Sequence, residues 1–286
     1  MPILLMILAT ILWGVSFLIT KLALQEISTT SFLFYRYAVA TVSLLPVFLF
    51  NPVSINKKLI KPGIYLSLLQ AALIFTQTLG LETISASLSS FLAGFYIVFV
   101  LLIRFVITKN LPTTVDIIAT LLCLAGLGLL TNSFGNPDPV GIGLTFISAF
   151  VIAVDIYVLD KYVNRSTEFA LTFLQMIGIM TIFGCVLLCN RQLFQFPTQL
   201  LTWISILVAG IGCSSIAYWV AAKAQTKLGA FKVSIILMLE PVFATIFAYF
   251  GLGEQLSLMS FLGMGVILIA IGIINWRLKV SPSTTS

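Results

Sequence analysis

Four ionisable residues stand inside long apolar runs: Arg36, Arg104, Asp155 and Glu240. A charge at the centre of a bilayer costs about 2.5–3.5 kcal/mol on insertion scales, so each needs water, a partner or a task. A carboxylate there can attract a cationic group, carry a proton, or pair with a nearby lysine, which for Asp155 is Lys161. Glu240 precedes Pro241, which lacks an N–H for the helix ladder and favours a bend. An acid at a bend either gates a path or holds a neighbouring helix. Arg36 reads as an anchor for a loop or lipid headgroup, or as half of an outer ion pair. Lys21, at the end of the first apolar run, snorkels to the interface or gates it, and Arg104 snorkels to the opposite surface.

Uncharged polar and aromatic residues extend this set. Gln70 and Gln77 are two helical turns apart and share one face. Ser214, Ser215 and Tyr218 form a second group beside Trp219, while Trp13, Tyr96 and Tyr157 add aromatic surface at mid-depth. With Asp155 and Glu240 they make a candidate lining, mainly apolar with a few polar fixtures. Such a lining suits an aliphatic or aromatic amino acid, or a quaternary amine held by ring faces. Hydrolytic chemistry is disfavoured. The chain has no histidine, the usual general base, and neither HExxH nor GxSxG occurs. The four cysteines read as packing residues within apolar runs. Cys185 and Cys189 share a helix face but lack further ligands, so no metal or cofactor is expected. No phosphate-binding GxxxxGK[ST] loop is present, so ATP is not expected as the direct driver.

Composition explains where these residues must sit. The chain is 60% hydrophobic and 8% charged, against about 25% charged for soluble proteins, so it is built to face lipid. Its net charge of +6 is spread over short loops rather than one patch, which argues against a nucleic-acid partner. Ten membrane spans can be drawn, near 3–24, 30–50, 62–81, 85–107, 113–132, 139–160, 169–189, 201–223, 230–250 and 257–276. The first lacks a basic leader and cleavage site and reads as a retained helix. Breaks fall at Asn51-Pro52, Leu111-Pro112, Asn136-Pro137-Asp138-Pro139 and Phe196-Pro197. With the N-terminus in the cytoplasm, Lys57, Lys58, Lys61, Lys109, Lys161, Arg165, Lys223, Lys227, Lys232, Arg277 and Lys279 are inside. Only Lys21 and Arg191 are outside. Both termini are then cytoplasmic, in a bacterial-type plasma membrane.

The two halves repeat. A shift of about 140 places Lys21 on Lys161. A shift of about 144 places Ala86 on Ala230, Ser90 on Ser234, Phe99 on Phe243 and Gly128 on Gly272. Five spans per half is odd, so the second half is inverted in the bilayer. The expected units are residues 1–135 and 136–280, with a short polar tail at 281–286. Gly210, Ser214, Ala217 and Ala221 on span eight, and Ala86, Ser90 and Ala93 on span four, form small-residue faces. These two spans read as symmetry-related helices at a moving seam.

Specific motifs sharpen this. Trp13-Gly14-Val15-Ser16-Phe17 with Lys21 resembles the first-helix motif of the EamA branch of the drug/metabolite transporter superfamily. Phe34-Tyr35-Arg36-Tyr37-Ala38 resembles its second-helix arginine motif. Glu240-Pro241-Val242-Phe243-Ala244 and Gly251-Leu252-Gly253-Glu254 resemble its ninth-helix signature, and Gly263 and Gly272 fit its tenth helix. The first half departs from the pattern, with Tyr96-Ile97 where a Glu-Pro pair would repeat and Asn110 where the later glutamate would. The resemblance implies an all-α membrane protein of ten helices in two inverted five-helix repeats. Its central cavity would be lined mainly by helices one, three, four, six, eight and nine, with five and ten outside. It also implies a secondary carrier of small organic solutes such as amino acids, often exporting them. Uptake of a cationic osmolyte such as choline is the alternative; a channel or an intramembrane enzyme fits less well. Proton coupling through Asp155 or Glu240 is allowed, and oligomeric state is left open.

Overall fold

The computed structural model describes residues 1–50, 57–109, 111–130, 137–255 and 257–280, with backbone alone at 130 and 274–280. Asn51-Pro52, Asn110, Asn136, the 135/136 boundary and the 281–286 tail lie outside the described residues. Among the described residues every regular element is helical. The fold is ten membrane spans arranged as two inverted repeats of five.

Spans one to three are single helices, α1 (Pro2–Ala23), α2 (Thr29–Phe50) and α3 (Lys57–Thr83). Span four is two pieces, α4 (Ala86–Ala93) and α5 (Tyr96–Thr108), and span five is α6 (Thr114–Leu130). In the second half, α7 (Pro139–Tyr162) and α8 (Glu168–Cys189) form spans six and seven. Span eight starts as α9 (Leu200–Leu207), winds as a π-helix over Val208–Ile216, and continues into α10 (Ala217–Leu237). α10 turns a corner at Gly229 (φ 71, ψ 162), so its last turns open span nine. α11 (Glu240–Leu252) completes span nine, and α12 (Leu258–Val280) is span ten.

The repeat holds to the residue in spans four and nine. An offset of 144 maps Ala86–Ala93 onto residues 230–237 and Tyr96–Thr108 onto Glu240–Leu252. The breaks match as well: Phe95 N–H donates to Leu92 O (3.2 Å), and Leu239 N–H to Ile236 O (3.0 Å). After each break the helix ends on a left-handed residue, Lys109 (φ 56) or Gly253 (φ 68). The counterpart of span four is therefore span nine, and that of span eight is span three. The small-residue faces on four and eight are not symmetry mates.

Helix pairing follows the same two-fold logic. Spans two and seven pack on each other, as do five and ten, each a self-reciprocal contact between repeats. The packing of α3 along α7 is mirrored by that of α10 along α1, and α1 on α11 by α7 on α5. Large apolar side chains such as Leu4, Leu68, Phe150, Ile204 and Leu262 are left exposed around the perimeter, as a lipid-facing surface requires. Cys185 and Cys189 are exposed and do not pack in the core, while Cys123 and Cys213 are buried; all four are free thiols.

Candidate solute cavity

A partly open cavity of about 100 Å³ lies between the repeats. That is room for several waters. Span one supplies a helical stripe, Trp13, Ser16, Phe17 and Thr20, at the three-and-four spacing of a single face. Span three supplies Gln70, Gln77 and their neighbours Leu73, Ile74, Thr78 and Leu81. Span six contributes Ile152, Asp155 and Ile156; span eight Tyr218; span nine Leu237 and Glu240. Span two contributes Arg36, and span four contributes none of the lining residues. The resemblance implied the reverse for two and four.

Arg36 is 1% exposed. Buried at the cavity wall, it is not a headgroup anchor, and among the described residues it forms no ion pair. Its Nε donates to Ser214 Oγ (2.8 Å) and its Nη1 to Ser16 Oγ (3.0 Å), so two neutral hydroxyls orient a buried cation at the cavity wall. The π-helical turns help to place these groups. They bring Ser214 to Arg36, and the Cys213 carbonyl accepts the Trp13 indole N–H (3.0 Å). Such wider turns recur at functional sites. Ser215 Oγ donates to Ala40 O (2.9 Å), tying the same turns to span two. Trp13 meets Tyr218 edge to face at 5.1 Å, and Gln70 Nε2 donates to the Tyr218 hydroxyl.

The acids are differently placed. Asp155 does not pair with Lys161, whose ammonium lies 5.5 Å from the Tyr162 ring centroid. Asp155 Oδ1 is buried without a hydrogen-bond partner, and among the described residues neither Asp155 nor Glu240 has an ion pair. Glu240 begins α11 at the mid-span break, where the positive end of the helix dipole faces the cavity. Pro241 sits in the first turn of α11, a position that needs no N–H donor, so it starts a helix rather than bending one.

Other expected residues lie outside the lining. Tyr96 is buried, with its hydroxyl donating to Ser234 O (2.9 Å), and Tyr157 donates to Val100 O (3.2 Å). Trp219 packs against Phe169 with ring centroids 5.3 Å apart, and Ser214 acts through Arg36. Arg104 does not snorkel freely. It pairs with Asp116 (3.2 Å) and lies over the Phe231 ring. Ser16 and Phe17 of the first-helix motif, and Thr20, join the lining beyond the expected set, and their spacing from Trp13 marks one helix face.

Above the cavity, the face opposite the termini is laced by hydrogen bonds between loops. Lys21 Nζ donates to the carbonyls of Leu81 (2.6 Å), Glu82 (3.1 Å) and Ile84 (2.9 Å). Glu254 accepts from the N–H groups of Ala86 and Ser87, capping α4, and Glu82 accepts from the Thr29 hydroxyl. Glu26 accepts from the Thr198 hydroxyl and from the N–H groups of Thr198 and Gln199. The Thr198 bond first, then Thr202, pushes the Glu26 carboxyl down to about 2.

A model of the EamA-like transporter family matches residues 1–132 and 139–276, nearly the whole chain. The protein belongs to the EamA-like transporter family. An uncharacterized transporter of Archaeoglobus fulgidus is 23% identical over 94% of this chain and 84% of its own length. One of Methanothermobacter thermautotrophicus is 27% identical over 95% and 85%. A solved crystal structure superposes on this EamA-like transporter with TM-score 0.76, covering 97% of each chain at 13% identity, a likeness of fold. Among the described residues of the transporter no cluster of three His, Cys, Asp or Glu is placed to hold a metal ion.

Proposed function

We propose that this transporter is a secondary carrier that exchanges or exports small zwitterionic metabolites of the amino-acid class by alternating access. The observation that carries the reading is one cavity lined by a guanidinium and two carboxylates that, among the described residues, form no ion pair, with Asp155 Oδ1 also lacking a hydrogen-bond partner. Arg36 has five N–H donors, of which Ser16 and Ser214 take two, leaving donors for a solute carboxylate. Asp155 faces the same space and suits an ammonium group. Trp13 and Tyr218 supply a ring wall for an apolar side chain. The charge asymmetry of the loops supports cytoplasmic termini, and the reading places the carrier in a plasma membrane.

A second reading, uptake of a cationic osmolyte, draws on the excess of acid over base in the lining and on the paired rings. Counterflow into proteoliposomes with labelled amino acids and choline-like cations separates the two. The expected result is exchange of amino acids. Exchange of the cations alone replaces the first reading with the second. Coupling to protons would run through Asp155 or Glu240. Asp155→Asn and Glu240→Gln are expected to abolish accumulation driven by a pH gradient, and normal accumulation by both ends that role.

A further inference from the structure

The inverted repeat makes the two membrane faces comparable part by part, and the comparison is unequal at one point. On the face opposite the termini, Lys21 at the end of span one holds three carbonyls at the end of span three and the corner after it. Leu81, whose carbonyl takes the shortest of these bonds, also lines the cavity. The bond therefore ties span one to span three at the edge of the cavity.

The repeat offsets carry each part to the termini face. Lys21 maps onto Lys161 near the end of α7. Leu81, Glu82 and Ile84 map by 144 onto Gln225, Thr226 and Leu228, the last turn of span eight before Gly229. There the lysine is disengaged. Lys161 is exposed and, among the described residues, donates no hydrogen bond and forms no ion pair. The two spans are joined instead by the Gln225 side chain, whose Nε2 donates to Ile156 O (2.7 Å). Inverted-repeat carriers change sides largely by rocking or gating one repeat against the other around a fixed site, so contacts made on one face are expected to have counterparts on the other.

We propose that Lys161 is the latch of the opposite state, seated on the carbonyls of the Gln225–Leu228 turn when Lys21 is released. The two lysines then alternate, and each holds one face shut. This rests on the alternating-access reading above.

The test is lysine footprinting of the purified full chain in detergent. An amine-acetylating ester is used, with modification at each lysine followed by mass spectrometry. In the wild type Lys161 is expected to react several-fold faster than Lys21. Lys161→Ala removes a side chain that makes no hydrogen bond here, so the fold is retained. It is expected to slow modification of Lys21 several-fold, because the state that releases Lys21 loses its latch. Lys21→Ala is expected to slow modification of Lys161 in turn. Lys21 reactivity unchanged or raised in Lys161→Ala overturns the proposal, even if Lys21→Ala fails to fold. Loss of this coupling with saturable solute counterflow intact sinks the latch and leaves the carrier reading standing.

Discussion

A buried guanidinium held by two serine hydroxyls is the least expected feature at the residue scale. Hydrogen bonds to charged groups contribute about 1.5–3 kcal/mol each. Ser214→Ala or Ser16→Ala should therefore lower stability by about 1–3 kcal/mol, read as a lower midpoint of thermal unfolding in detergent, and should weaken solute affinity through misplaced Arg36 donors. Serines are common in membrane helices, so nothing in the one-dimensional pattern marked these two as Arg36 partners. Glu26 belongs to this scale as well. Its carboxyl titrates near 2 when folded against an ordinary 4.5, so its bonds to Thr198 and Gln199 are complete above about pH 4.5 and lost as pH falls toward 2. Protection of the Thr198 and Gln199 amides, taken relative to the intrinsic exchange rate at each pH, should fall across that window, and Glu26→Gln should remove the dependence.

Elements carry a second lesson. Spans four and nine break at equivalent places, yet only one has a proline after the break; its counterpart is Ile97. The break is therefore a property of the repeat and not of Pro241. Pro241→Ala should keep it and change stability by less than about 1 kcal/mol, since a first-turn proline satisfies no bond that alanine would lose. Gly229 is different. Its φ of 71 and ψ of 162 lie in a region open essentially to glycine alone. Gly229→Ala should cost about 1–3 kcal/mol, seen as lower folded yield and thermal midpoint, because span eight could no longer turn directly into span nine. The π-helical turns at Val208–Ile216 show no comparable local signature, since the backbone there is set by what span two and Trp13 present.

The whole molecule depends on close approach between the repeats. α3 and α7 cross at Gly80 and Gly141, and a Cβ on Gly141 would stand 2.8 Å from Ile84 Cγ2 and 3.0 Å from the Gly80 carbonyl. Gly141→Leu should force the repeats apart, costing about 1–3 kcal/mol or more and lowering the thermal midpoint. The span count, the inverted halves and the inward face of span three were legible because hydropathy and helical period are properties of consecutive residues. The cavity stripe of span one was equally legible, at 13, 16, 17 and 20, but only Trp13 stood out by type. Arg36 shows the limit: its position in span two marks its depth, and its role depends on neighbours far along the chain.

What the sequence by itself determined is therefore the membrane, the ten spans, the repeat and its family motifs, all of them local in chain order. Only the tertiary structure decided that span two enters the cavity while span four does not, that Tyr96, Tyr157 and Trp219 stand outside it, and that Lys21 is bonded while Lys161 is exposed. The reason is physical. Each of these outcomes depends on which helix faces meet across the two repeats, and residues such as Arg36 and Ser214 come within 2.8 Å although 178 positions separate them.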